Sequence, residues 1–219
     1  MLVIHQPEFL SYLGFFDKVS KADTFVIADT FQVKKNYYDN RNKIRTPQGC
    51  QWITIPTNFH LGLNFKEVKV VHESDWQRKM LNSIQQNYSK SSYFDKYFPK
   101  IQEIINKKYD FLFDYNYELL CQMLNWFNIK PRIEFASNLN LYSKHGSGKC
   151  LEICQMLRAD IYLSGQSGMD YLDLPLFKCA RINVVFHEFE HPIYNQMYEP
   201  FLPGLSAIDY LFNCGEKKW

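Results

Sequence analysis

Five short stretches of this chain gather groups able to do chemistry. They are His5-Gln6-Pro7-Glu8, the Asp29 to Lys35 segment, the basic and aromatic run from Lys34 to Arg45, Ser164-Gly165-Gln166-Ser167-Gly168, and His187-Glu188-Phe189-Glu190-His191. A histidine titrates near neutral pH, so His5 suits either contact with a phosphate or proton transfer; it can also simply finish a strand on a backbone hydrogen bond. Glu8 is a candidate base, or only an acid favoured in the first turn of a helix. Lys34, Lys35, Arg41, Lys43 and Arg45 sit among Tyr37, Tyr38, Asn40 and Asn42. Forked guanidinium donors match phosphate oxygens, and tyrosine faces suit a base or a sugar, so the interleaving favours ligand binding over a solvated basic loop. The two Ser-Gly pairs, Ser164-Gly165 and Ser167-Gly168, allow close backbone approach and offer hydroxyls to an anion or a polyol.

Other motifs are weaker. "KHGSGK" lacks the first glycine and the final Ser or Thr of a phosphate-binding loop and reads as the turn before a helix. Neither Ser164 nor Ser167 lies in GxSxG. "HEFEH" has two histidines four apart, but it follows the strand-like "INVVF" rather than opening a helix, and four residues along a strand span about 13 Å. No metal is therefore expected, while His187 and His191 stay candidate bases on a pocket wall.

These groups need elements to place them. Residues 1–29 read strand, turn, helix, strand, with Leu10, Leu13, Phe16 and Val19 at helical spacing. That βαβ opening predicts an α/β fold with a mainly parallel, nucleotide-binding-like sheet. "QWITIP", "FKEVKVVH", "RIEFASNL", "DIYLSG" and "INVVFHEFEH" are further strand candidates, and residues 30–50 read as a polar loop. Asp75 is a candidate N-cap for "WQRKMLNSIQQNYSK", and residues 97–107 and 117–127 carry amphipathic spacing. The chain reads as one α/β domain over 1–219 with a helical insertion or second lobe at about 74–130. In open parallel sheets ligands bind beyond the carboxyl ends of strands, where HQPE, Asp29 to Lys35 and SGQSG all fall.

The totals bound the function. With 25 basic and 23 acidic residues the net charge is +2, too small for bulk attraction to nucleic acid. The aromatic share of 17% is high enough that some rings must line a pocket or the surface. No segment has the length of a signal peptide or a membrane span. Six scattered cysteines without a CxxC pair suggest reduced, mostly buried thiols in a cytoplasmic protein.

"HQPEFLSYLGFFDKVSKADTFVIADTFQVKK", "NRNKI", "WITIP", "YLSGQSGMDYLD" and "HPIYNQ…FLPGLSAIDYLFNCG", in that order over nearly the whole chain, resemble the WbqC-like family. Gln6-Pro7, Asp29, Asn40-Arg41-Asn42, the two Ser-Gly pairs and Ser206 to Asp209 carry the resemblance; Ser11 departs from it, standing where a proline is expected. Members occur in gene clusters for bacterial surface polysaccharides, O-antigen among them. The resemblance implies a cytoplasmic enzyme that puts an acyl or aminoacyl group on a nucleotide-linked amino sugar, a dTDP-sugar being favoured. More distantly, the opening is similar to nucleotide-binding α/β folds in which a histidine after the first strand contacts ATP phosphates. On that reading His5, Glu8, Lys35 and His191 are the catalytic candidates. Gln6, Asp29, Lys34, Asn40, Arg41, Asn42, Ser164, Gly165, Ser167 and Gly168 would bind substrate or nucleotide. The donor is open between ATP with Mg2+ and an acyl thioester, and a homodimer is admitted. The alternative is a non-catalytic sugar-nucleotide-binding or assembly protein of a polysaccharide complex.

Overall fold

β1 (Leu2–His5), α1 (Leu13–Ser20) and β2 (Thr24–Ile27) open the chain in a computed structural model that describes residues 1–34, 37–60, 62–143 and 146–217. The hairpin β3 (Arg41–Thr46) and β4 (Gly49–Thr54) follows, then the short antiparallel pair β5 (Thr57–Asn58) and β6 (Lys69–Val70). Three helices come next: α2 (Trp76–Tyr88), α3 (Phe94–Ile105) and α4 (Leu112–Trp126). The chain then alternates β7 (Arg132–Phe135), α5 (Gly146–Met156), β8 (Ile161–Ser164), α6 (Leu174–Cys179) and β9 (Asn183–Phe186), and ends in α7 (Ala207–Cys214).

The main sheet is five-stranded and all parallel, in the order β7-β2-β1-β8-β9. The fold is therefore α/β. Successive strands step outward from β1 on one side through β2 to β7, then restart on its other side with β8 and β9. The strand order thus reverses between β1 and β8, where such sheets leave a crevice at the carboxyl ends.

Side-chain alternation divides the core between the two faces of the sheet. Val3, Phe25 and Ile27 point to a cluster that includes Phe16, Ile84, Ile101, Leu119 and Leu211, so one continuous core joins the sheet to α1, α2, α3, α4 and α7. Leu2, Ile4, Val26 and Ala28 point the other way, onto Cys150, Ile153, Cys154 and Phe177 from α5 and α6. Among the described residues no helix is long and apolar enough to cross a membrane.

Several local expectations are corrected. Helix α1 begins at Leu13, not Leu10, whose backbone is left-handed at φ 43°. The 30–50 stretch is not all loop, because residues 41–46 pair with β4 across a turn closed by Gly49 at φ 124°. "FKEVKVVH" is mostly a 3-10 turn at Phe65–Glu67 and only two residues of strand. Of the six cysteines only Cys150 and Cys154 are buried, and Cys50 and Cys179 are exposed. Asp75 does precede α2, but its carboxylate pairs with Arg78 instead of capping the backbone.

Candidate functional site

The turn after β1 is held from every side by side-chain amides and hydroxyls. Asn116 of α4, fully buried, donates its Nδ2 to the Pro7 carbonyl at 2.6 Å and to the Asp39 carbonyl at 2.7 Å. Asn42 of β3 donates to the carbonyls of Phe9 and Leu10 at 3.1 and 2.9 Å. The Phe9 amide donates to the Tyr38 carbonyl, and the Ser206 hydroxyl to the Leu10 carbonyl at 2.6 Å. A leucine at positive φ costs of order 1–2 kcal/mol, and these bonds to its own carbonyl offset that cost. His5 and Glu8 therefore stand on a rigid platform.

Above that platform, at the reversal of strand order, lies a cavity of about 270 Å³. Its walls come from three strand ends: His5, Gln6 and Glu8 after β1, Phe31, Gln32 and Lys34 after β2, and Ser164, Gly165 and Ser167 after β8. Tyr37 and Tyr171 add phenol faces. Lys34 lies over the Tyr37 ring at 5.2 Å, keeping an ammonium at the rim. The Gln6 amide donates to the carbonyls of Phe31 and Gln32, tying the first turn to the second. Ser164 is buried, and its hydroxyl donates to the Gly165 carbonyl. A Cβ on Gly168 would land on that hydroxyl, so a residue without a side chain is required there.

A second compartment of about 330 Å³ adjoins the first and shares His5, Glu8, Tyr37, Gly165 and Ser167 with it. Its other walls include Tyr12, Phe15 and Lys18 from the α1 side, and His187 and Phe189 after β9. His187 Nε2–H donates to Asp17 Oδ2 at 2.7 Å, and Asp17 also receives the Lys21 ammonium at 2.6 Å. Burial holds the His187 pKa below its usual value, with Lys21 and Lys18 adding to the effect and Asp17 opposing it. The ring is thus neutral at pH 7, with Nδ1 as its basic nitrogen.

The shared wall carries two large titration shifts, at His5 and Glu8, with a third at Lys18 beside it. His5 Nδ1–H donates to the Gln6 carbonyl at 2.9 Å, leaving Nε2 as the basic nitrogen, 3.9 Å from Glu8 Oε1. Burial and then the charge of Lys18 push His5 down to about 3, so it meets a ligand as a neutral acceptor. Burial raises Glu8 to about 7, Lys18 opposing and Asp39 adding, which leaves this carboxyl half-ionised at neutral pH. Burial lowers Lys18 to about 8 while Glu8 acts to raise it. A carboxyl and an amine poised this close to neutrality can exchange protons with a bound substrate.

Of the residues singled out from sequence, His5, Gln6, Glu8, Lys34, Ser164, Gly165 and Ser167 meet at the first compartment. The others are placed elsewhere. Asp29 is buried and accepts the Ser137 amide at 2.9 Å, joining two strand ends. Asn40 donates to the Ile55 carbonyl, Arg41 stacks over Trp52 at 4.3 Å, and Asn42 serves the platform, so the NRN triplet builds the hairpin. Gly168 makes room for Ser164. His191 is not on either wall: its ring packs with Phe189, Tyr194 and Phe201. Lys35 lies outside the described residues. Arg45 is wholly buried and donates to four carbonyls, those of Thr46, Gly49, Tyr198 and Pro200. Asp209, also fully buried, accepts from Tyr88, Tyr194 and Gln196.

The sequence reading missed Asp17 and Lys18. The available signal was a lysine inside "LGFFDKVS", three residues after Phe15 and four after Gly14, on a helix whose neighbours are almost all apolar.

Comparison with known proteins gives a consistent relationship. A family model described as the WbqC-like protein family matches residues 6–219. The uncharacterized protein Rv1507c of Mycobacterium tuberculosis is 28% identical over 218 residues, covering 98% of this chain and 94% of that protein. No solved structure matches significantly.

Proposed function

This chain belongs to the WbqC-like protein family, and from that membership and the cleft together we propose that it modifies a nucleotide-linked amino sugar by N-acyl or aminoacyl transfer, in the cytoplasm, for bacterial surface polysaccharide. The observation that carries the proposal is the convergence of His5, Glu8, Lys34 and the Ser164–Ser167 loop at the reversal of strand order. A nucleotide diphosphate fits that position, since Lys34 supplies a cation and the Ser-Gly backbone allows close approach. Tyr37 and Tyr171 offer faces to a base or a sugar ring. As the amine nitrogen bonds the acyl carbon, the acyl–oxygen bond of an ATP-activated acid or the acyl–sulfur bond of a thioester breaks and releases the phosphate-bearing group or the thiol. Glu8, with its pKa near 7, takes the proton that the sugar amine loses. His5, neutral before binding, gains basicity when a phosphate dianion arrives beside it, because the opposite charge favours imidazolium. Lys34 and backbone N–H groups then face the developing oxyanion.

Thermal unfolding against ATP, acetyl-CoA and dTDP-, UDP- and GDP-linked amino sugars tests the reading. A ligand at a hundred times its Kd adds about 2.7 kcal/mol, or roughly 5–11 °C in Tm for a chain of this length. Shifts with an amino sugar and ATP select ATP-driven amide formation, whereas shifts with the sugar and acetyl-CoA select a thioester donor. The ligands that shift the protein then enter a mass-spectrometric assay for the amide, which His5→Ala and Lys34→Ala should abolish. A sugar nucleotide that binds and is never converted favours the second reading, a non-catalytic sugar-nucleotide-binding protein of a polysaccharide complex. That reading draws on Cys150, whose thiol burial pushes up to about 11 and so leaves inert beside the pocket. A panel that leaves the transition unmoved refutes both.

A further inference from the structure

Lys18 is a cation buried on α1 at the wall of the second compartment. Its side chain is 3% exposed on a helix packed between the sheet and the aromatic core. Among the described residues it forms no ion pair within 4 Å, although Asp17 next to it pairs with the Lys21 ammonium and accepts from the neutral His187 ring. Its ammonium is aimed at the loop after β8, with Nζ 3.6 Å from the position a Cβ on Gly165 would take. It lines the second compartment, whose apolar walls include Tyr12, Phe15 and Phe189. A buried charge without a close partner is costly and is retained where something else supplies the counter-charge.

We propose that the second compartment is a subsite for the carboxylate group of a small organic acid, with Lys18 as its anchor. The charge count decides the ligand class. Lys18 supplies one positive charge, His187 is neutral, the Asp17 carboxylate is offset by the Lys21 ammonium bound to it, and Glu8 can take a proton. The space therefore holds at most one net positive charge: a monoanion balances it while a phosphate dianion leaves excess negative charge. The aromatic walls suit the apolar body of a short acid. The compartment shares five residues with the first cavity, so a carboxylate held by Lys18 lies next to the occupant of the strand-end site. This deepens the transfer reading by giving the acyl group its own seat, and rests on that reading only for the acid's role as donor.

The experiment is calorimetric titration of the full chain with acetate, propionate and glycine, with inorganic phosphate and ATP in parallel, for wild type, Lys18→Met and Lys18→Arg. At least one carboxylate should bind saturably to wild type, at least tenfold more weakly to Lys18→Met, and with partial recovery in Lys18→Arg. Lys18→Met should also melt above wild type in the absence of ligand, because the methionine fills the space without a charge to desolvate. Equal carboxylate affinity in Lys18→Met overturns the proposal, as does inorganic phosphate binding more tightly than every carboxylate, or no carboxylate binding to wild type. A lower melting temperature in Lys18→Met also overturns it, assigning Lys18 to the fold. Carboxylate binding without ATP binding keeps the subsite and counts against the ATP-driven form of the transfer; ATP binding without carboxylate binding does the reverse.

Discussion

Replacing Asn116 with alanine should loosen the platform under His5 and Glu8 from a distance, and its cost can be worked from the contacts. The side chain is fully buried on α4, and its Nδ2 makes the 2.6 and 2.7 Å bonds to the carbonyls of Pro7 and Asp39. Truncation leaves both carbonyls without that donor in a dry environment, at about 1–3 kcal/mol each. Against this, Asn116 Oδ1 is itself buried without a partner, so its removal returns about 1–3 kcal/mol. Adding a small loss of packing, the balance is about 3 kcal/mol of destabilisation, a fall of roughly 6–12 °C in Tm for a chain of this length. Circular dichroism on heating, with urea titration to confirm an unchanged m-value, reads it directly. Asn116→Asp should be worse at pH 7, because a carboxylate would face two carbonyls. It should recover partly as the pH falls and the acid regains a proton to donate. A shift below about 2 °C for Asn116→Ala would refute the reasoning, since a bond pair worth so little cannot hold the turn that carries His5.

Two further outcomes follow from the same cleft. Gly168→Ala should cost about 1–3 kcal/mol by driving a methyl into the Ser164 hydroxyl, and Ser164→Ala in the same chain should return part of it; a double-mutant cycle with no coupling would contradict the contact. Glu8 has its folded pKa raised from 4.5 to about 7, so its favourable contribution is complete below pH 4.5 and disappears as pH rises through 7. Glu8→Gln lacks that loss, so between pH 5 and pH 8 it should gain about 2–3 kcal/mol on wild type in chemical denaturation. His5, shifted the opposite way to about 3, changes both proteins alike over its range of pH 3 to 6.5; parallel pH profiles for the two proteins would mean that Glu8 is solvated after all.

How much of this was legible in the residues follows from the range of the interactions involved. The sequence determined the parallel strands, because buried strands are short apolar runs whose ends are marked by His5, Asp29 and Ser164-Gly165. With those ends came the site, since the groups that follow a strand's last residue are fixed to it by a few covalent bonds. Tertiary structure decided which polar groups of the family pattern face the cleft and which hold the fold. Asn42, Asp209 and Arg45 look like ligand-binding residues in one dimension, yet each bonds backbone or side chains distant in the chain. The same holds for Lys18, whose sequence environment is only that of a lysine on a short helix. Its burial depends on the loop after β8 and the segment after β9, more than 140 residues away, closing over α1. No local pattern records a desolvation imposed by such distant segments, because the low dielectric that shifts a charge belongs to the assembled walls around it and not to the residue.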